Sequence, residues 1–383
     1  MTSFKDDSLK KNKWYFIIEV GSGKDRKRIK RRGFKRKQDA DEAERELKNQ
    51  LSGGLDLKGS KTLYKVFMAD HLRDKKLSVR ESTLKTYSAL VNNHILPALG
   101  ELELGEIKPR HIQNLYNDLS ESGKLSDENI QKVHSIINES LNKAAGYDML
   151  IKNPANAVKR PKADKKEMLY WTEEESHRFL NSALQENARY YCAFLLALTT
   201  GMRQGEILGL RWKDIDLDHR TISVSQTLSH DGKNFQAETK TTAGRRSIGI
   251  DVFTVTALRT LRHRTREEKM SNKNIYEDND LVVCTNIGTR VTPRNLNRSF
   301  CIFLEKSKVK RIRFHDLRHT HVVMLLKARE NNKRIAERMG WASVKMIDRY
   351  AHIMPNMQQD TADLFGGVFF KTGAIIGAAK EVN

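Results

Sequence analysis

Tyr350 closes an ordered series of cationic and polar residues. Arg203 lies in Thr200-Gly201-Met202-Arg203-Gln204-Gly205-Glu206, and Lys240 in a hairpin-like stretch, Thr239-Lys240-Thr241-Thr242-Ala243-Gly244-Arg245-Arg246. His315 and Arg318 share His315-Asp316-Leu317-Arg318-His319-Thr320, and Trp341 follows Gly340, nine residues before Tyr350. Such a set suits attack of a phenol on a phosphodiester without a metal. The non-bridging oxygens of a phosphodiester repel a nucleophile. Two guanidiniums, Arg203 and Arg318, would neutralise them and stabilise the charge that builds in the transition state. Arg318 follows His315 by three residues, which on a helix puts both on one face. A phenol titrates near ~10, so at neutral pH Tyr350 is protonated and its attack calls for a proton acceptor, a role open to His315. The leaving 5′ oxygen needs a proton, which a lysine on a β-turn such as Lys240 can deliver. Covalent capture by Tyr350 conserves the phosphoester bond energy, so rejoining needs no ATP.

Taken singly, each residue has a plainer role. Arg203 can be a surface residue at a helix start, His315 with Arg318 a polar helix face, and Lys240 one of many cations on a surface hairpin. Trp341 and Tyr350 can be core aromatics. Their joint order and spacing favour the chemical reading. His319 and His321 follow the motif without an assigned role and read as structural or phosphate-proximal, with structural favoured.

The elements that must position these groups fall into three segments. Residues 1–58 open with a β-like run, Trp14-Tyr15-Phe16-Ile17-Ile18-Glu19-Val20, and a Gly21-Ser22-Gly23 turn. From Lys24 to Lys37, ten of fourteen residues are Lys or Arg, interleaved with Ile29 and Phe34. Gln38 to Leu51 then predicts a charged helix with Ala40, Ala43 and Leu47 on one face. Together these imply a small folded module that presents a basic sheet, with Arg28, Lys30, Arg31, Arg32, Lys35, Arg36 and Lys37 as the candidate DNA contacts. Residues 61–160 read as helical, with a helix from Ser82 to Ile95 broken at Pro97 and another starting at Pro109. Periodicity there leaves open a plain four-helix bundle or a helical DNA clamp. Residues 166–365 begin with a capping box, Thr172-Glu173-Glu174-Glu175. A buried helix from Tyr190 to Leu198, a strand Thr221–Val224, a hairpin turn at Asp231-Gly232, a strand from Arg246 to Ile250 and further helices follow. The tail from Phe369 to Lys380 is apolar, too short to span a membrane, and reads as packing on its own domain or on a neighbouring subunit.

Composition bounds the partners. The chain has 383 residues, 69 Lys and Arg against 48 Asp and Glu, and a net charge of 69 − 48 = +21. Such an excess favours a polyanion: duplex DNA, RNA or an anionic membrane surface. No basic amphipathic helix with aromatic anchors supports the membrane option. No apolar window approaches transmembrane length, and the start has no signal-peptide core. Cys192, Cys284 and Cys301 are far apart and odd in number, which reads as reduced, half-buried thiols of a cytoplasmic protein. No metal-ligand spacing is present, and no cofactor is expected.

The motifs resemble the tyrosine recombinases, specifically the integrases of phages and conjugative transposons. Thr200 to Asp216 is similar to the family's first arginine box, with Glu206 as the acidic residue that orients it. Lys240 matches the β-hairpin lysine, His315 to Thr320 the second box, and Met339-Gly340-Trp341 with Arg349-Tyr350-Ala351-His352 the nucleophile box. Many members carry His where this chain has Trp341, and some carry Trp, donating through the indole N–H. The resemblance implies a multidomain α+β protein. Residues 1–58 would be a β-sheet plus helix module for arm-type DNA, 61–160 a helical core-binding bundle, and 166–383 a mainly α catalytic domain with a small antiparallel sheet and a C-terminal tail. It further implies site-specific recombination of a mobile element through a 3′-phosphotyrosyl link. Core and arm attachment sites would be the double-stranded DNA partners, a homotetramer would act on them, and an excisionase and a host DNA-bending protein would assist. A type IB topoisomerase shares the chemistry but lacks the arm-like module. A DNA-binding regulator on the same fold should have lost a catalytic residue, and none is missing here.

Overall fold

The computed structural model describes residues 3–6, 13–20, 27–52, 55–162, 167–186, 189–237, 246–353 and 357–369. It is mostly helical with small antiparallel sheets, and it divides between Lys166 and Glu167 into two units.

In the first unit, β1 (Ser3–Lys5), β2 (Trp14–Val20) and β3 (Lys27–Phe34) pair antiparallel in the order 1-2-3. Side chains alternate between the faces of a strand. Phe16 and Ile18 therefore turn together toward α1 (Lys37–Ser52), where Ala40 and Leu47 complete a small core. The opposite face carries Tyr15, Ile17 and Glu19, paired with Arg32, Lys30 and Arg28. Phe4 stacks on Tyr15 at 5.5 Å, and the Lys30 ammonium lies 4.3 Å over the same ring. A cation held on an aromatic face keeps its charge outward while its stem is ordered.

The helical part comprises α2 (Leu57–Ser60), α3 (Tyr64–Ser78), α4 (Glu81–Leu90), α5 (Leu96–Leu99), α6 (Pro109–Glu121) and α7 (Asp127–Gly146). Its separate core is built on Tyr64, Met68, Ile95, Leu99, Ile112, Ile136 and Leu141. The expected break at Pro97 does not occur. Val91–Ile95 forms a π turn that joins α4 to α5, with the Leu96 N–H donating to the Val91 carbonyl. The wider turn spares Pro97 the carbonyl clash it would meet in a regular α-helix, so the chain stays helical.

In the second unit, α8 (Glu173–Gln185) opens with the reciprocal Thr172–Glu175 cap. Next comes α9 (Tyr191–Thr200), buried from Cys192 to Leu198, so it runs through the middle of the core. Trp171, Phe179, Phe194, Phe300 and Phe314 pack ring against ring around it. After α10 (Gln204–Gly209), β4 (Ile215–Asp216), β5 (Thr221–Val224) and β8 (Arg246–Gly249) make one sheet, while β6 (Gln226–Leu228) and β7 (Phe235–Ala237) form a hairpin. The remaining helices are α11 (Val252–Ser271), α12 (Pro293–Ser307), α13 (Asp316–Lys327), α14 (Asn332–Met339) and α15 (Met357–Phe369). Asp251, Thr292 and Asn331 cap α11, α12 and α14 with side-chain oxygens, which fixes where each begins. Tyr350 sits not on an α-helix but in a 3-10 stretch, Val344–Ile353. Among the described residues no helix is long and apolar enough to cross a membrane. Cys192 and Cys284 are buried and Cys301 is exposed, so the thiols are not uniformly half-buried. Most of the tail, residues 370–383, lies outside the described residues.

Candidate active site

Gly201 ends α9 in the left-handed conformation, with φ 65°. A Cβ there would lie 2.7 Å from the His321 ring and 2.9 Å from the Met339 sulfur. Only glycine lets the chain turn this close to α13 and α14. The turn delivers Arg203 to the N-cap of α10. Its backbone N–H donates to Glu206 Oε2 at 2.9 Å and its Nη1 to Oε1 at 2.6 Å. Arg246, the first residue of β8, grips the same carboxylate: Nη1 donates to Oε1 at 3.1 Å, Nη2 to Oε2 at 2.7 Å. Its Nε donates to the Arg338 carbonyl at 2.8 Å. Burial pushes the Glu206 carboxyl up, but the hydrogen bonds and charge of Arg246, with the charge of Arg203, outweigh it and hold the group below the usual carboxylate range.

Arg318 rises from the first turn of α13 and is 4% exposed. Its Nη1 donates to the Gly201 carbonyl at 2.6 Å and its Nη2 to the Met339 carbonyl. Two backbone carbonyls thus aim the guanidinium, and among the described residues no carboxylate pairs with it directly. Burial and the nearby Arg203 charge lower it to about 9, which leaves it protonated at neutral pH. The Trp341 ring lies 5.9 Å from its Cζ and 6.1 Å from the Tyr350 ring. Gly340, left-handed at φ 62°, ends α14 and swings Trp341 into this position. Tyr350 is 2% exposed, and burial pushes its phenol up to about 12 against the pull of Arg318 and Arg349.

His315 caps α13 at the exposed rim of the cluster. Desolvation by the surrounding walls and the charges of Arg318, Arg313 and Arg203 hold its imidazole below its ordinary value, with Asp316 pulling the other way. It is therefore neutral at pH 7. It makes no hydrogen bond to Tyr350 among the described residues. The hydroxyl of Tyr350 meets His319 Nδ1 instead, at 2.7 Å. His319, for which the sequence favoured a structural over a phosphate-proximal role, is thus in direct contact with the proposed nucleophile. Its place one residue after Arg318 was visible in the sequence, but nothing there links it to a residue 31 positions on. His321 is structural in fact. It faces the Leu198 carbonyl at 2.8 Å through Nδ1 and accepts from Arg338 Nε at 3.0 Å. Burial and Arg338 pull its imidazole down to about 3.

The second unit therefore brings Arg203, Glu206, His315, Arg318, Trp341 and Tyr350 together. Lys240 lies outside the described residues, between β7 and β8 in the chain. In the first unit, Arg28, Lys30 and Arg32 share the outer face of the sheet, Arg31 pairs with Phe16 on the other, and Lys35, Arg36 and Lys37 follow at the start of α1. All seven are exposed.

Comparison with known proteins finds family matches over three stretches of the chain. Residues 170–357 match the phage integrase family, residues 63–120 the phage integrase N-terminal SAM-like domain, and residues 3–51 an arm DNA-binding domain. The ICEBs1 integrase of Bacillus subtilis is 26% identical over 329 residues, which cover 85% of this chain and 89% of that one. A XerC-like tyrosine recombinase of Caldanaerobacter subterraneus is 25% identical over 389 residues, covering 95% and 99%. Among solved structures, the Tn1549 transposon integrase in complex with transposon right end DNA superposes with a TM-score of 0.68 at 20% identity, covering 79% of this chain and 99% of that one. The lambda integrase tetramer bound to a Holliday junction gives 0.57 at 16%, covering 86% and 92%. These likenesses show a shared fold.

Proposed function

Because the chain belongs to the phage integrase family, the tyrosine recombinases, we propose that Tyr350 is its nucleophile and that Arg203, Lys240, His315, Arg318 and Trp341 serve the scissile phosphate around it. The protein is a DNA-binding, site-specific recombinase that integrates or excises a mobile element.

One observation carries the assignment of residues. Among the described residues two guanidiniums, Arg203 and Arg246, share one buried carboxylate, Glu206, while a third, Arg318, feels its charge but is bonded only to the Gly201 and Met339 carbonyls. The cluster holds a positive excess beside a tyrosine hydroxyl, which is what a bound phosphodiester would balance. Arg203 and Arg318 would hold the two non-bridging oxygens. Neutral His315 and the indole N–H of Trp341 would add hydrogen bonds to them. As Tyr350 Oη bonds to phosphorus, the bond to the 5′ oxygen breaks and Lys240 protonates that oxygen. The 3′-phosphotyrosyl link then waits for a 5′-hydroxyl from the partner strand.

Beyond this centre, the arm-type module at 1–58 would hold distal sites, and segments 61–160 and 166–383 would each contribute to core-site binding. Relatives support a homotetramer working through a Holliday junction, since the lambda enzyme is seen as one. An excisionase and a host DNA-bending protein would set direction, in the cytoplasm. The test uses a nicked duplex carrying the core site from the DNA flanking the element. Arg203→Ala and Arg318→Ala should each slow cleavage by at least ~10²-fold, as deleting one oxyanion donor does, while binding changes little. Equal losses in affinity and cleavage would make these arginines ordinary binding residues.

A further inference from the structure

The contact between Tyr350 and His319 gives the reaction a group that the motif reading left without a role. We propose that His319, not His315, orients the Tyr350 hydroxyl and accepts its proton as it attacks. The inference rests on Tyr350 being the nucleophile.

The geometry is direct. Tyr350 Oη and His319 Nδ1 are 2.7 Å apart, and the two rings lie 5.8 Å apart at 55°. Tyr350 is a phenol at neutral pH, so its O–H donates and Nδ1 accepts. The imidazole must then carry its own proton on Nε2. His315 meets the far side of this arrangement: its ring stands edge-on to His319 at 5.3 Å, at 86°. It is thus one ring removed from the phenol, and the charges of Arg318 and Arg203 both act on it, as they would on a phosphate oxygen beside it.

The charges around His319 fit an acceptor that stays unloaded until attack. His315, Asp316 and Arg318 face it from α13, Arg313 from the preceding turn, and Tyr350 from the 3-10 stretch. Burial and His315 pull its imidazole down to about 4, while burial pushes the phenol up to about 12. No proton moves in the ground state across such a gap. As Oη bonds to phosphorus, the phenolic proton becomes strongly acidic and passes to Nδ1. The bond to the 5′ oxygen breaks, and that oxygen takes its proton from Lys240. The imidazolium formed beside the phosphate is offset by the negative charge of the transition state. In religation a 5′-hydroxyl attacks phosphorus and gives its proton back to Lys240, the bond from phosphorus to Tyr350 Oη breaks, and His319 returns its proton to the leaving phenolate.

The test measures single-turnover adduct formation on the nicked core-site duplex between about pH 6 and 9, with DNA binding by each variant as the check of folding. The wild-type rate should be flat, because this window lies between the values of the two partners. His319→Ala should lose about 10²–10³-fold at neutral pH, the size of general-base assistance. Its remaining rate should climb about tenfold per pH unit, because attack must then wait for the rare phenolate. His319→Asn places an amide oxygen near the Nδ1 position; it should bind DNA normally and recover part of the rate, where His319→Gln does not. His315→Ala should be slower but flat. A flat profile for His319→Ala, or the steep profile appearing in His315→Ala instead, overturns the proposal. Tyr350→Phe run alongside separates the two ideas. If it still forms adduct, the nucleophile assignment fails. If it is inert while His319→Ala behaves as wild type, only the role of His319 fails.

Discussion

Arg203 and Arg246 share one carboxylate but divide chemistry and stability between them, and substitution should separate the two. Arg246→Met keeps most of the side-chain length and removes the charge. Glu206, 1% exposed, would then keep Arg203 as its remaining guanidinium partner. Breaking a buried pair from one side costs about 3–5 kcal/mol. Arg203→Met should cost about 1 kcal/mol or less, because its side chain is 40% exposed against 6% for Arg246 and solvent screens its pair. At roughly 2–4 °C per kcal/mol for a unit of this size, Arg246→Met should lower Tm by roughly 6–20 °C and Arg203→Met by a few degrees. Cleavage at a temperature where both are folded should rank them the other way, since the exposed Arg203 is the proposed phosphate contact and the buried Arg246 is not. Acid adds a second check. The depressed Glu206 carboxyl contributes stability above the unfolded-state value of ~4.3, and this contribution is lost as pH falls through its lower folded value. Arg246→Met removes the larger part of that depression, leaving only what Arg203 supplies, so its disadvantage should be greatest at neutral pH and shrink in acid. Thermal unfolding by circular dichroism, paired with single-turnover cleavage, reads both rankings. Equal Tm losses, or a larger loss for Arg203→Met, would refute the division of roles.

Three further outcomes are expected. Lys240→Ala should be slow on ordinary DNA and recover on a 5′-bridging phosphorothiolate, whose thiolate leaves without a proton; continued slowness on that substrate would remove Lys240 as the general acid. Trp341→His should retain more recombination than Trp341→Phe, because His keeps a ring N–H donor; the reverse ranking would assign Trp341 to packing. If about five of the exposed cations at Arg28, Lys30, Arg31, Arg32, Lys35, Arg36 and Lys37 reach phosphates, arm-site binding should fall with salt at a log–log slope of about −4 to −5. Deleting residues 1–58 should then abolish arm binding and full attachment-site recombination but spare core-site cleavage.

The residues of the proposed site were legible where the chain itself carries the information. Arg203, Glu206, Arg318, Trp341 and Tyr350 stand in short motifs, and glycines at 201 and 340 mark the turns that deliver them. The capping box at Thr172 and the hairpin turn at Asp231-Gly232 were legible for the same reason: their physics is local. The contacts that needed the fold were not. The Arg246–Glu206 pair spans 40 residues, and the Tyr350–His319 bond spans 31. Neither partner has a periodicity or spacing that names the other. Pro97 was misread because a proline ends a regular helix, whereas a π turn just before it absorbs the clash.

The most direct measurement is to trap the protein on the nicked core-site duplex, digest the covalent complex, and identify the linked residue and DNA end by mass spectrometry. The account predicts a single adduct on the peptide that contains Tyr350, joined to a 3′ phosphate, with a free 5′-hydroxyl on the released strand and no adduct in Tyr350→Phe. An adduct on another residue, a link to a 5′ phosphate, or wild-type yield in Tyr350→Phe would contradict it.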